Sequence, residues 1–323
     1  MARPDRVFLT IAATAATVST LAFTISPLYR IQVAGLDNLE LVLAGTIMEA
    51  CVFCFEIPTG IVADLWSRKW SVIIGHLGIG LGFVVEASFP TVAGVLAGQA
   101  VWGIAYTFTS GATVAWVSSE LDDPDRRQMT RLFLRASRFG SAAALVAVPL
   151  SFVLGLGWTL RAPLVLGAVV SIALGLWLVV AMGERRFEPA AERSAWRSMA
   201  ATARSGVRAI RASRVLQILA VALFISGGAS EAYDRYTDRL LLDLGAPGWS
   251  DWSAVRWIAI VGCTSAALGI VVPWWFQRRH GQLSEDGQRH WIAGLILVQV
   301  TFLVVMAASG SFIMAAVASL VID

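Results

Sequence analysis

From Pro163 to Met182 the chain runs for 20 residues without an ionisable side chain. At a rise of about 1.5 Å per residue, a helix of that length covers about 30 Å, the thickness of a bilayer's hydrocarbon core. Hydrocarbon offers the backbone no hydrogen-bond partner, and a helix supplies its own. The stretch is one of a series. Similar runs, bounded by charges, Pro or Gly clusters, fall near Val7 to Ile31, Leu39 to Ala63, Ser71 to Phe89, Val92 to Ser119 and Thr130 to Gly157. Others follow near Val215 to Leu244, Val255 to Phe276 and Trp291 to Ala308, and a last one opens at Ser311 and is cut at Asp323. With 57% hydrophobic and 15% charged residues and a mean hydropathy of +0.70, the chain holds more apolar surface than a soluble fold can hide. The alternating pattern of an outer-membrane barrel is missing. The expectation is all-α: a polytopic membrane helical bundle of about ten spans.

Three cysteines and three histidines argue against a disulfide scaffold or a metal centre. Cys51 and Cys54 lie one helical turn apart inside an apolar run, where cysteine behaves as a small hydrophobe. The first run is too long for the core of a signal peptide and reads as a span. If spans alternate in direction, Arg3, Arg6, Arg68, Lys69, the arginines of 126–138 and those of 185–214 share one side. Arg278, Arg279 and Arg289 join them, leaving Arg30, Arg161, Arg235, Arg239 and Arg256 opposite. The positive-inside rule then predicts a cytoplasmic amino terminus in a multi-pass protein of the inner membrane. Anionic lipid headgroups, and no nucleic acid, account for the arginine-rich segments.

The segment from Gly183 to Arg214 is rich in Arg, Glu, Ala and Ser. Its composition suits a solvated linker, although Trp196, Met199 and Val207 also allow a helix at the membrane surface. It divides the chain into a six-helix bundle over 1–182, a cytoplasmic linker over 183–214 and a partial second bundle over 215–323, the outline of two parallel transporter halves.

The connector between the second and third spans reads Gly60-Ile-Val-Ala-Asp64-Leu-Trp-Ser-Arg68-Lys69. A positive-inside turn explains Arg68 and Lys69 but not an Asp in register with Gly60. The segment resembles the signature loop of the major facilitator superfamily, and it stands at the matching place in the chain. Glu56-Ile-Pro58-Thr-Gly60 and Trp102-Gly-Ile-Ala-Tyr-Thr-Phe-Thr-Ser-Gly111 are similar to a bacterial branch of that family. The resemblance implies a monomeric secondary carrier without a cofactor. It would move a small solute, in the efflux direction, by alternating access coupled to protons. Gly60, Asp64, Arg68 and Lys69 would form the gating motif, with Gly60 permitting close helix approach and Asp64 accepting from Arg68 or from a helix N-terminus.

Several positions depart from the family. Drug and proton antiporters carry an Arg four residues before a Gly in span four, whereas Gln99 precedes Gly103 here. Gly140 and Pro149 are separated by an Ala and Val run, and the second-half copy of the loop, Gly269 to Arg279, lacks the Asp. Members usually have twelve spans, so the resemblance also implies an incomplete second half, and a transport-dead remnant or receptor stands beside the carrier as an alternative. A membrane-embedded enzyme is disfavoured because neither His-Glu-x-x-His nor Gly-x-Ser-x-Gly occurs.

Charges inside spans cost roughly 2.5 to 3.5 kcal/mol at the helix centre, so each needs a cavity or a partner. Glu49 reads as the deepest carboxylate and the proton site. Glu56, seven residues on, is expected to brace the signature loop. Glu231 and Asp234, further candidates for a proton or substrate site together with Glu56, form a polar stripe with Arg235 and Asp238 in the outer part of span seven, or a solvated outer face if that span ends near Ser230. His76 reads as a loop or snorkelling residue at a span end. Gly78, Gly80 and Gly82 are expected to bring helices close together.

Overall fold

The computed structural model describes residues 3–121, 127–189, 204–245, 247, 253–280 and 285–322. Eleven labelled helices follow, and no strand occurs among the described residues. They are α1 (Pro4–Gln32), α2 (Asn38–Leu65), α3 (Arg68–Ser88), α4 (Val92–Ser110), α5 (Ala112–Glu120), α6 (Arg127–Gly157), α7 (Ala162–Ala181), α8 (Arg214–Leu244), α9 (Ala254–His280), α10 (Glu285–Ala307) and α11 (Phe312–Ile322). Six helices, with α4 and α5 taken together, are long and apolar enough to cross a membrane. The apolar parts described in α9, α10 and α11 are shorter, over Val255–Leu268, Leu297–Ala307 and Phe312–Val321.

The helix starts follow from local chemistry. Asp37 and Glu40 form a reciprocal cap on α2, with Glu40 N donating to Asp37 Oδ1 at 2.8 Å and Asp37 N to Glu40 Oε2 at 2.9 Å. Ser67 caps α3 and Thr91 caps α4 through their hydroxyl oxygens. The predicted span Val92 to Ser119 is divided at Gly111, where the chain leaves α4 and enters α5. Helical backbone also covers 204–212, which is exposed, and Ser213 then caps α8. Val207 lies on that exposed stretch, while Trp196 and Met199 fall outside the described residues.

Glycines set the spacing of the first six spans. A Cβ built on Gly82 would stand 3.0 Å from both the Gly98 carbonyl oxygen and Trp102 N, and one on Gly75 would stand 2.9 Å from the Ala105 carbonyl oxygen. A Cβ on Gly78 would stand 2.7 Å from the Ala105 Cβ, so three α3 glycines let α4 approach closely. Gly80 does the same for α7, with its Cβ position 2.9 Å from the Ala168 carbonyl oxygen. The expectation for Gly78, Gly80 and Gly82 is therefore met. Gly60 differs. Nothing lies within 4 Å of its Cβ position, so it does not bring two helices together, contrary to the sequence reading. Gly82→Leu is expected to lower unfolding stability in detergent by about 1–3 kcal/mol, because backbone atoms must give way. Gly60→Ala should be neutral or stabilise by up to about 1 kcal/mol, since the space is open and alanine favours the helix. A thermal melt of the two variants that ranks them the other way would refute this reading of the packing.

The buried core forms layers along the bundle. Near the start of α1, Val7, Phe8 and Ile11 pack with Val72, Trp116 and Leu178. Further along, Ala22, Tyr29, Phe83, Trp102 and Leu164 join α1, α3, α4 and α7. A separate cluster links the first six spans to the rest of the chain: Ile25 and Leu28 of α1 and Phe152 of α6 meet Leu241, Ile258, Phe312 and Ala315.

Candidate functional site

A cavity of about 660 Å³ opens where these two sets of helices meet. One face of α1 forms much of its wall, with Ser19, Thr20, Phe23, Thr24, Ser26 and Pro27 repeating at helical spacing. Pro27 leaves the Phe23 carbonyl without its usual amide donor, and Ser26 Oγ donates to that oxygen at 3.4 Å. Met48 of α2, Trp102 of α4 and Phe152 of α6 close the wall on this side. Tyr233 and Thr237 of α8, Ile258 and Ser265 of α9 and Ser319 of α11 close it on the other. Phe23 meets the Trp102 ring edge-on at 5.1 Å, and Tyr106 stacks on Trp102 at 5.2 Å, so the indole is held by aromatic neighbours. No Asp, Glu, Lys, Arg or His is among the described residues that line the cavity.

A second polar site joins α1, α3 and α4 near the end opposite the 60–69 connector. Arg30 and Glu86 are 1% and 0% exposed and pair through two bonds, Nε to Oε1 at 2.7 Å and Nη2 to Oε2 at 3.2 Å. Gln99 Nε2 donates to Glu86 Oε2 at 2.7 Å, and Tyr29 donates its hydroxyl to the Glu86 backbone carbonyl at 2.7 Å. The two-bond fork fixes geometry as well as charge. Sequence reading missed this group. Glu86 is fully enclosed, whereas Glu49 is exposed on α2. The available signal was a single Glu inside an apolar span. Gln99, the departure from the antiporter pattern, here serves Glu86.

At the connector end, Asp64 Oδ1 accepts from Arg68 Nη2 at 3.1 Å, as the spacing predicts. Arg68 also donates to the Ala115 carbonyl at 3.2 Å, and Lys69 Nζ donates to the Val179 carbonyl at 2.9 Å in the last turn of α7. The N-terminus of α3 is taken by another carboxylate. Glu184 Oε1 accepts from Arg68 N at 2.8 Å and Lys69 N at 3.1 Å, while Ser67 Oγ donates to Oε2 at 2.5 Å. Trp116 Nε1 donates to the Gly183 carbonyl at 2.6 Å, and Glu120 Oε1 accepts from Arg185 N and Arg186 N. The start of the long connector is thereby tied to the signature loop, a role for Glu184 that its place in a basic linker did not suggest.

The remaining expected residues are separated. Glu56 accepts from Ser110 Oγ at 2.7 Å and lines a small cleft with Gly60 and Asp64; it holds α4 and, among the described residues, makes no bond to Arg68 or Lys69. Glu231 and Asp234 lie on helical backbone in α8, and their side chains are outside the described residues, as are those of Arg235 and Asp238. The described ion pair of that helix is Arg239 with Asp243, at 3.2 Å. His76 is 3% exposed inside α3, not at a loop, and its backbone carbonyl accepts from Ser171 Oγ at 2.8 Å. That bond and the close approach of Gly80 to Ala168 and of Gly175 to Leu77 hold α3 against α7 along this stretch.

The membrane-length helices thus enclose a cavity between two helical sets. The sequence profile of the Major Facilitator Superfamily matches residues 5–323, and the chain belongs to that family of membrane transporters. A crystal structure of the nucleoside transporter NupG is similar at a TM-score of 0.70 and 15% identity, over 99% of this chain and 78% of that one. A crystal structure of the peptide transporter POT in complex with sulfate is similar at a TM-score of 0.65 and 15% identity, over 100% and 79%. A POT family transporter in complex with 5-aminolevulinic acid gives a TM-score of 0.67 at 12% identity, over 100% and 82%. At these identities the likeness concerns the fold. No curated protein is similar enough in sequence to count as a relative.

Proposed function

We propose that the protein is a secondary carrier that moves a small solute across the cytoplasmic membrane by alternating access, coupled to protons and directed outward. The observation that carries this reading is the 660 Å³ cavity, whose wall draws on 1–182 and 215–323 alike, so that rocking one set against the other would open it to either side. Fold relatives described as nucleoside and peptide transporters support a small organic cargo. The test is access. In a variant lacking Cys51, Cys54 and Cys263, Thr24→Cys should react with an impermeant maleimide both from outside intact cells and in inverted vesicles. Reaction from one side only would defeat alternating access.

Orientation follows from the distribution of basic residues, with the amino terminus and the 183–214 linker in the cytoplasm. Asp37→Cys should label from outside intact cells, and Gly206→Cys should be spared. The reverse pattern would invert the proposal.

Gating is assigned to Gly60, Asp64, Arg68 and Lys69, with Glu56 beside them. The Asp64–Arg68 pair is partly exposed, at 52% and 24%, so its coupling is in the range of about 0.2–1 kcal/mol. Asp64→Asn should therefore change the inward-to-outward labelling ratio of Thr24→Cys by up to about fivefold, because 1 kcal/mol corresponds to that factor. Solute binding should hardly change, since Asp64 does not line the cavity. An unaltered ratio would remove the gating role.

A further inference from the structure

Resting on the carrier reading, we propose that Phe152 of α6, seated on Gly262 of α9, is the gate that closes the cavity at the end opposite the 60–69 connector. The contact joins the two helical sets directly. A Cβ built on Gly262 would stand 3.2 Å from Phe152 Cε2 and 3.4 Å from Cζ, so the glycine leaves a notch that the edge of the ring occupies. Both residues line the cavity, and Phe152 is only 5% exposed. By helical rise Phe152 stands about 8 Å before the end of α6 at Gly157, and Gly262 about 12 Å after the start of α9 at Ala254.

Phe152 is carried by the first set. Its neighbour Ser151 donates the hydroxyl to the Leu21 carbonyl of α1 at 2.8 Å, and a Cβ on Gly155 would stand 2.9 Å from Ile25 Cδ1. The ring therefore moves with α1. The notch belongs to the second set, where Ile258 stands one turn from Gly262 on the cavity face of α9. Ile25, Leu28 and Val148 from one set share an apolar cluster with Phe152 and with Leu241 and Ile258 from the other. Rocking one set against the other must lift the ring from its notch before solute can pass at this end. Apolar contact is non-directional, so the seat can part without breaking a hydrogen bond and re-form when the packing switches back.

The test is the rate at which an impermeant maleimide reaches Thr24→Cys, in the variant without native cysteines, from the face that carries Asp37. The orientation proposed above makes that face the exterior of intact cells. Phe152→Ala removes the ring and should raise this rate about tenfold. Gly262→Val fills the notch, displaces the ring and should raise it about fivefold. In Phe152→Ala/Gly262→Val the added methyl groups enter the space the ring has left, and the rate should return to within about threefold of the parent. Phe152→Leu keeps most of the apolar volume, should raise the rate about threefold, and replaces Phe152→Ala if a thermal melt shows that variant unfolded. Unchanged labelling in Gly262→Val and in the folded Phe152 variant, or a double variant that labels as fast as the two single effects multiplied, would overturn the inference. Labelling from this face that occurs in the gate variants and is absent from the parent would sink the carrier reading and keep the gate.

Discussion

Glu86→Leu, with Arg30 left in place, is expected to reduce unfolding stability in detergent by about 3–5 kcal/mol, the usual consequence of leaving a buried charge without its partner. Arg30 is only 1% exposed, so the charge would be left without water as well as without its partner. Gln99 Nε2 loses its acceptor in the same step, which adds to the loss. Arg30→Met should be similarly harmful because it strands the carboxylate. The double variant Arg30→Met/Glu86→Leu should recover most of the loss, since no unpaired charge is left and apolar side chains fill the site. Thermal unfolding of the three variants decides it. If each single replacement costs less than about 1 kcal/mol, the pair does not hold these helices together.

Glu49→Gln is expected to abolish solute accumulation driven by a pH gradient. With one proton per solute, a gradient of one unit supports about a tenfold concentration ratio, worth about 1.4 kcal/mol, and the variant should show none. Glu49 stands about 16 Å along α2 by helical rise, beside the cavity residue Met48, and its carboxylate is exposed. An ionised side chain costs roughly 2.5–3.5 kcal/mol at the centre of a span, which is why the proposed coupling is placed at this carboxylate. Exchange of solute at equal pH should continue in the variant. Glu231→Gln serves as the comparison and should keep the gradient-driven ratio. Retained accumulation in Glu49→Gln with loss in Glu231→Gln would transfer the coupling role to α8.

Glu86 shows why the first of these sites was hard to see. A Glu within an apolar span signals that some partner exists, but Arg30 lies 56 residues away on another helix. Its position near the end of α1 made it look like an ordinary outer charge. Glu184 was hidden in the same manner: 117 residues separate it from Ser67, whose hydroxyl it accepts. The cavity wall was half legible, because Ser19, Thr20, Phe23, Thr24 and Pro27 repeat along one face of α1. Nothing local distinguished that face from one turned toward lipid.

The spans, their starts and the Asp64–Arg68 contact rest on interactions within a few residues, and the chain's own order determined them. Apolar length demands a helix in hydrocarbon, Asp37, Ser67 and Thr91 complete local caps, and residues four apart meet on a helix whatever surrounds it. Tertiary packing decided the rest. It enclosed His76 and left Gly60 open, paired Arg30 with Glu86, and turned the α1 stripe toward Trp102. Each outcome depends on which faces of distant helices meet. Close glycine contacts and the desolvation of a few polar groups set those faces, and both act only once the helices are side by side.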